Sequence, residues 1–130
     1  MPGERPSIEA WLREAKANAS AQDCGMFLIH NGVVRRSAKA RVRKGDETAS
    51  DVTGMLFSYD REKTAAAVKA AEAMPGIRCV RVWMNEGALQ VGDDIMYVLV
   101  GGDIRPRVVD ALQYLVGRLK DDCVTEIEQH

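Results

Sequence analysis

A short apolar run between two groups of turn residues is the strongest constraint on the fold of this chain. The run covers residues 95–100 and is the longest apolar segment, with two aspartates before it and two glycines after it. It is much too short for a membrane-spanning helix, which needs about 18 apolar residues. A run of this length between turn signals is typical of a buried strand, so we predict the central strand of a sheet.

Helices and further strands surround this run. Residues 7–18 predict a first helix, because Ser7 can cap it and Ile8, Trp11 and Leu12 then share one apolar face. Short turns between neighbouring strands favour an antiparallel or mixed sheet with helices on one side, which is an α+β fold. The other predicted elements are a helix from a cap at Asp60 to about Met74, a helix over 104–120, and strands at 24–34, 53–59, 77–84 and 124–128. Gly32, near the end of the first of these strands, indicates either a bulge or a close backbone approach.

Length and composition predict one reduced, cytoplasmic domain over residues 1–130. No apolar segment near the N-terminus suits a secretory signal, and no membrane contact is expected. The three cysteines, Cys24, Cys79 and Cys123, are widely spaced, which argues against a disulfide framework and against a zinc site. His30 lies in a predicted strand, where a lone histidine is usually a hydrogen-bonded structural residue. We therefore expect neither a metal nor a cofactor.

A basic segment at 36–51 has no apolar period, and six of the ten residues over 35–44 are Lys or Arg. We predict a mobile surface loop. Its charge suits either a solvated loop or a surface that binds an anion or a partner, and composition does not separate the two. A nucleic-acid-binding module is the weakest alternative, because the net charge is −1 and the aromatic share is only 5%.

Two places in the sequence have the chemistry of an anion site. Gly101, Gly102 and Asp103 lead from the predicted central strand into the last helix, where backbone N–H groups can face an anion and Arg105 can add a charged fork. A tight turn with a solvated arginine explains the same residues. Likewise, Lys120 near the C-terminus of the last predicted helix can simply interact favourably with the helix dipole. The residues alone therefore leave the function open.

Three stretches carry a family pattern in their order and spacing. The first, 25–35, ends in Gly-x-Val-Arg, and the second, 83–94, contains Gly-x-Leu-x-x-Gly-Asp. The third, 105–120, is a predicted helix that ends in Leu-Lys. Together these stretches resemble the large, catalytic subunit of molybdopterin synthase, and the resemblance covers most of the chain, from about 24 to 128.

This resemblance implies a fold, a partner and a reaction. The fold is the α/β hammerhead, and the family works as a homodimer of large subunits. Each large subunit of the family binds a small, ubiquitin-like sulfur-carrier subunit whose C-terminal Gly-Gly carries a thiocarboxylate. Two such sulfurs pass to cyclic pyranopterin monophosphate, a pterin phosphate, which becomes molybdopterin during biosynthesis of the molybdenum cofactor.

The resemblance also assigns roles to three residues. The essential lysine of the family falls on Lys120, and two substrate-binding arginines fall on Arg35 and Arg105, whose charge suits a phosphate. A lysine beside a thiocarboxylate can hold the anion and assist proton transfer. Arg105 and Lys120 are fifteen residues apart on one predicted helix, which is about 22 Å along its axis. One small pterin can therefore contact both residues only if they come from two subunits.

Two positions depart from the family pattern. Ile104 stands where the family has a histidine, and Ile127 stands where a second lysine is expected. Isoleucine cannot donate or accept a hydrogen bond or carry charge. The resemblance favours a sulfur-transferring enzyme, and these two positions motivate an alternative, which is a non-catalytic family member that binds the ubiquitin-like partner or a pterin phosphate.

Overall fold

The strands of this protein form two antiparallel sheets, and the predicted α+β class is confirmed. The structure is a computed structural model that describes residues 4–130. The first sheet has the order β1 (Met26–Val33), β5 (Asp94–Gly102), β3 (Ile77–Met84), and the second has the order β4 (Gly87–Gln90), β2 (Gly54–Tyr59), β6 (Val124–Gln129). The helical elements are α1 (Ile8–Ala17), α2 (Lys39–Lys44), α3 (Arg61–Glu72) and α4 (Arg105–Arg118), with a 3₁₀ turn at Ala19–Asp23 and a π-helical turn at Leu119–Cys123.

Strand β5 is the buried centre of the first sheet, as its apolar run predicts. It pairs with β1 on one side and with β3 on the other. Its residues Met96, Val98 and Val100 belong to one buried cluster with Val108 and Leu115 of α4. Burial of each such side chain stabilises the fold by roughly 1.5–3 kcal/mol. The packing of α4 on β5 therefore fixes the direction in which the helix runs across the sheet.

The opposite face of the first sheet carries α1. Helix α1 begins after Ser7, whose Oγ accepts the backbone N–H of Ala10 at 3.1 Å, so the predicted cap is confirmed. The ring centroid of Trp11 lies 6.2 Å from that of Tyr97 in β5. The prediction that all helices lie on one side is therefore wrong. The apolar stripe of α1 needs a surface of its own, and the free face of β5 provides it.

A bulge ends strand β1, and it is one of the two features that Gly32 indicates in the sequence. The register with β5 shifts between Gly32 and Val33. Beyond the shift, Val34 is buried and its N–H donates to the carbonyl of Asp93 at 2.9 Å. A bulge bends the strand that contains it. The chain therefore turns away from the sheet after the bulge, and Arg35 lies just beyond the end of β1.

The basic segment is not the structureless loop that the sequence predicts. It contains helix α2, which begins after the buried Ala38 and ends at Gly45, whose φ of 67° is left-handed. Arg41 holds the following turn through an ion pair with Asp51 at 2.9 Å and a hydrogen bond to the carbonyl of Ala49. A helix of six residues is too short to display a periodic pattern, and the sequence therefore does not reveal it.

The cysteines carry free thiols. Burial raises the pKa of Cys24, Cys79 and Cys123, which keeps each of them in the protonated, unreactive form near neutral pH. No helix within residues 4–130 has both the length and the apolar character needed to cross a membrane.

Candidate active site

Lys120 lies in a small cavity whose walls come from both sheets and from α2. The cavity has a volume of about 70 Å³. Lys120 is part of the π-helical turn after α4, and turns of this type occur frequently at functional sites. We call this cavity the Lys120 pocket, and its lining residues are Val33, Arg35, Lys39, Arg43, Met55, Ile95, Lys120, Glu126 and Glu128.

A buried carboxylate pairs with Lys120. The side chain of Glu126 is only 6% exposed, and Nζ of Lys120 donates to its Oε2 at 2.9 Å and to its Oε1 at 3.1 Å. The Nζ of Lys39 also donates to Oε1, at 3.4 Å. Two ammonium groups thus share one carboxylate, which neutralises a charge that would be strongly destabilising if it were buried alone.

The two lysines keep Glu126 ionised. Burial raises the pKa of its carboxyl group, but the hydrogen bonds and positive charges of Lys120 and Lys39 outweigh burial and hold the pKa below its ordinary value. In the resting pocket, Lys120 therefore donates hydrogen bonds to an ionised carboxylate.

Basic side chains outnumber acidic ones around the pocket by two. The basic residues are Arg35, Lys39, Arg43 and Lys120, and the acidic residues are Glu126 and Glu128. The backbone N–H of Lys39 donates to Oε2 of Glu128 at 3.0 Å, which ties the N-terminus of α2 to β6. Arg35 is exposed, and its Nε donates to the carbonyl of Ser37 at 2.9 Å. The excess of positive charge makes an anionic group the ligand that this pocket suits best.

Strand β6 directs a glutamate, and not Ile127, toward Lys120. Glu126 lies opposite the buried Phe57, whereas Ile127 lies opposite the exposed Leu56 and is itself 53% exposed. Successive side chains of a strand point to opposite faces, so position 127 faces away from the pocket. Ile127, which stands where the family pattern has a second lysine, therefore adds nothing to the lining of this pocket.

The glycine-rich turn before α4 is filled by its own aspartate. Oδ1 of Asp103 accepts the backbone N–H of Ile104 at 2.7 Å, and Oδ2 accepts Nη1 of Arg107 at 2.8 Å. Gly102 is needed for close packing, because a Cβ there would lie 2.7 Å from the carbonyl oxygen of Gly76. A carboxylate already occupies the start of the helix, and the tight-turn interpretation of this segment is therefore favoured over an anion site.

Arg105 does not reach the Lys120 pocket of its own chain. It is the first residue of α4 and is exposed, and its side chain has no ion pair or hydrogen bond within residues 4–130. Lys120 follows the other end of the same helix. Ile104, at the cap position, offers no capping side chain and is 51% exposed. Of the three candidate residues, the structure brings Arg35 and Lys120 together and leaves Arg105 apart.

His30 of β1 lies near Lys120 and is only partly satisfied. Its Nε2 is buried and has no hydrogen-bond partner within the described part of the chain. Burial, and then the positive charge of Lys120, lower the pKa of the imidazole. His30 is therefore neutral near pH 7. The prediction that His30 is a hydrogen-bonded structural residue is therefore wrong for its Nε2 atom.

A larger groove lies elsewhere on the surface and has different chemistry. It is open, has a volume of about 800 Å³, and its walls include Tyr59, Val68 and Trp83. Two of its charged residues, Arg61 and Glu86, are 3.9 Å apart and largely exposed. An exposed pair of this kind contributes little energy. The converging, partly buried charges lie in the smaller Lys120 pocket.

Sequence analysis misses two residues that complete the pocket, Lys39 and Glu126. Lys39 belongs to the segment that the sequence predicts as a loop. Glu126 belongs to a strand in which the alternation of apolar and polar residues predicts that Ile127, and not Glu126, faces the core. The sequence contains one weak signal for them, which is the surplus of basic residues in α2. This surplus indicates that an anion binds but does not locate the binding site.

The fold and the pocket define an α/β hammerhead-like protein with a cation-lined cavity at the end of its last helix. The family model described as MoaE protein matches residues 6–122. The chain therefore belongs to the MoaE family, which is the family of the large subunit of molybdopterin synthase, and it takes part in molybdenum cofactor biosynthesis. The resemblance seen in the sequence is thereby confirmed. No curated protein matches the chain.

Solved structures from three bacteria have a similar fold. Molybdopterin synthase from Staphylococcus aureus has a TM-score of 0.71 at 18% identity, and the alignment covers 98% of this chain and 93% of that one. A complex of subunits 1 and 2 of molybdopterin-converting factor from Helicobacter pylori has a TM-score of 0.66 at 14% identity, covering 93% and 74%. The MoaE protein from Burkholderia ambifaria has a TM-score of 0.70 at 14% identity, covering 96% and 84%.

Proposed function

We propose that this chain is the catalytic large subunit of a molybdopterin synthase. In this function, sulfur passes from the C-terminal thiocarboxylate of a small ubiquitin-like subunit to cyclic pyranopterin monophosphate, and molybdopterin is formed. The observation that carries the proposal is the Lys120 pocket, in which an ammonium group on a π-helical turn lies in a cavity with excess positive charge. Family membership supports the reaction, and the two-subunit complex from Helicobacter pylori supports the partner.

Lys120 is the proposed catalytic residue. An incoming thiocarboxylate is an anion and competes with Glu126 for the ammonium group of Lys120. The ammonium then holds the anion and donates a proton where negative charge develops during sulfur transfer. The sulfur first bonds to a carbon of the substrate, and water then attacks the acyl carbon of the tail and breaks its bond to sulfur. The sulfur stays on the substrate, and the tail ends in a carboxylate, which remains a ligand of the same ammonium group.

The size of the cavity favours the tail over the pterin as its occupant. A volume of about 70 Å³ is small beside the roughly 300–1,000 Å³ of a typical small-molecule pocket. The narrow end of a Gly-Gly tail, or one oxyanion, fits such a space, and a fused pterin ring does not. The pterin would therefore lie at the mouth of the cavity, where Arg35 is exposed.

The two arginines are proposed to bind the substrate from different subunits. Arg35 lies beside Lys120 and offers a planar fork that suits a phosphate. Arg105 lies at the opposite end of α4 from Lys120. It can contribute to a Lys120 pocket only if that pocket belongs to another copy of the chain. We therefore propose a homodimer of large subunits with composite sites.

A non-catalytic binding protein is the second candidate function. Two observations favour it: Glu126 already occupies the ammonium group of Lys120, and Ile104 has no side chain for proton transfer. Such a protein would bind the ubiquitin-like subunit or a pterin phosphate without turnover.

A turnover assay separates the two functions. The purified protein is mixed with cyclic pyranopterin monophosphate and a thiocarboxylated small subunit, and molybdopterin is measured as its fluorescent oxidation product. Lys120→Ala is expected to reduce the rate by at least about 100-fold, which is typical for loss of a proton-transferring group, while small-subunit binding persists. Lys69→Ala, at an exposed lysine of α3, is the matched control.

Three outcomes of this assay are informative. Product that depends on Lys120 supports the synthase. An undiminished rate in Lys120→Ala removes this residue from the mechanism. A wild-type protein that binds the small subunit but forms no product supports the non-catalytic function.

A further inference from the structure

We infer that Lys39 supplies the second cation of the Lys120 pocket, and that the pocket binds one small oxyanion between the ammonium groups of Lys39 and Lys120. The inference deepens the proposed function and rests on it for the identity of the molecule that carries the oxyanion. The site itself follows from the contacts of this chain.

Glu126 demonstrates the geometry of such a site. Its carboxylate accepts from Lys120 at 2.9 and 3.1 Å and from Lys39 at 3.4 Å. Both ammonium groups therefore reach the same carboxylate, which has the charge and oxygen spacing of a peptide C-terminus and resembles one edge of a phosphate. In the resting state Glu126 stands in for the ligand.

Lys39 is available for an external ligand to a greater extent than Lys120. The side chain of Lys39 is 39% exposed, and that of Lys120 is 26% exposed. Its contact with Glu126 is also the longest of the three in the cluster. Lys39 can therefore turn toward an entering anion, and Lys120, whose ammonium group has three N–H donors, can contact the same anion from the other side.

The backbone around Lys39 is held independently of its side chain. The N–H of Lys39 donates to Oε2 of Glu128 at 3.0 Å, and Ala38 before it is buried. Arg41 binds Asp51 and so holds the end of the same segment. The position of Lys39 is thus built into the fold, and a change of its side chain leaves these anchors intact.

The charge balance explains why a second cation is needed. Glu126 neutralises most of the charge of Lys120, so this ion pair by itself offers an entering oxyanion little net attraction. Position 127 on β6 faces outward and cannot supply a lysine. A cation from α2 fulfils this role, and Lys39 is the residue of α2 that contacts the carboxylate.

Two sources of the oxyanion are compatible with this chemistry. One is the C-terminal carboxylate or thiocarboxylate of an extended glycine tail, and the other is a phosphate group of a small substrate. Both are oxyanions that fit a cavity of about 70 Å³. The test therefore contains one arm for each source.

The binding experiment uses the full chain and two probes, inorganic phosphate and a synthetic peptide that ends in a free Gly-Gly carboxylate. Affinity is measured by calorimetry, and the amide shifts of 119–126 are followed by NMR. Lys39→Gln is expected to weaken binding about five- to tenfold, as expected for one partly exposed charged contact. Lys39→Arg should retain most of the affinity. Lys44→Gln removes the same charge from the exposed end of α2, outside the pocket lining, and should change little.

The outcomes separate this inference from the proposed function. Weaker binding of the peptide alone, of phosphate alone or of both in Lys39→Gln supports the site and identifies its ligand. Equal effects of Lys39→Gln and Lys44→Gln, or no binding of either probe by the wild-type protein, would overturn the inference. Anion binding that depends on Lys39, together with no molybdopterin in the turnover assay, rejects the proposed function and keeps the site. Normal turnover with an unchanged KM in Lys39→Gln rejects the site alone.

Discussion

The two ends of helix α4 differ in how many of their charged side chains find partners within the chain. At the C-terminal end, the π-helical turn brings Lys120 to Glu126, and α2 adds Lys39, so that charges are paired within one chain. At the N-terminal end, Asp103 pairs with Arg107, but Arg105 and Ile104 are exposed. Under the proposed composite site, the chain builds one half of the site by itself and another copy completes the other half.

The strongest test mixes two inactive variants. If each site combines Lys120 of one subunit with Arg105 of the other, Lys120→Ala and Arg105→Ala are each expected to be inactive as homodimers. Random exchange of subunits makes half of the dimers mixed, and each mixed dimer has one intact site, so the mixture should recover about a quarter of the wild-type rate. The rate is measured with the fluorescent product after subunit exchange.

A control for this experiment combines each variant with itself under the same exchange conditions, which should leave the mixture inactive. If the mixed sample also stays inactive although exchange is demonstrated by mass labelling, the two ends of α4 do not serve one composite site. Full activity of Arg105→Ala by itself would remove this arginine from the substrate site.

The second test concerns the glycine-rich turn at the N-terminal end of α4. Gly102→Ala is expected to lower the free energy of unfolding by about 1–3 kcal/mol, because the new Cβ would lie 2.7 Å from the carbonyl oxygen of Gly76 and 2.9 Å from a methyl group of Val108. The measurement is urea unfolding followed by circular dichroism. The KM for the pterin should not change, since the turn packs the sheet and binds no ligand.

A second glycine of the same helix provides the control. Gly117 is exposed within α4, and nothing lies within 4 Å of the position of its absent Cβ. Gly117→Ala is therefore expected to stabilise the protein by up to about 1 kcal/mol through helix propensity. A raised KM with unchanged stability in Gly102→Ala would contradict the packing role and revive an anion site at this turn.

The smallest expected effect concerns His30, which lies near Lys120 and thus near the C-terminal end of α4. Burial and then Lys120 lower the pKa of His30 in the folded state, so below about pH 6.5 the unfolded chain binds the proton more readily. Because of His30, the free energy of unfolding of the wild-type protein should decrease as the pH falls from 7 toward 5. His30→Leu should lose less over this range, and at pH 7 it should be more stable by about 1 kcal/mol, since it removes an unpaired buried nitrogen.

Urea unfolding at several pH values checks this prediction, and the difference between the two proteins isolates His30 from the carboxylates, which titrate in both. Parallel pH profiles for wild type and His30→Leu would mean that His30 keeps its ordinary protonation in the folded protein.

Local patterns predict the scaffold of this protein well. The apolar run of β5, the serine cap of α1 and the bulge at Gly32 depend on neighbouring residues, and all are found in the structure. The family resemblance depends on the same local stretches and is also confirmed. The single domain predicted over 1–130 stays a prediction, although residues of both sheets share one buried cluster.

The pairing of charges in the site could not be predicted from the sequence. Lys39 and Glu126 are 87 residues apart, and their contact depends on how α2 docks onto β6. Strand β6 has no apolar alternation that reveals its inner face, because two glutamates point inward and the isoleucine points outward. A buried carboxylate on that face is stable only because two lysines from elsewhere neutralise it, and such long-range compensation leaves no local signature.

The turn at Leu119–Cys123 sets which face of β6 meets the pocket, and this has an evolutionary consequence. Because the faces of a strand alternate, a gain or loss of one residue in this turn would exchange them. Thr125 and Ile127 would then line the cavity, and Glu126 would lie in solvent. Relatives of this chain can thus acquire or lose a pocket charge through a change in length, without any substitution. Homologous positions near this site are therefore better compared by the direction of the side chain than by their column in an alignment.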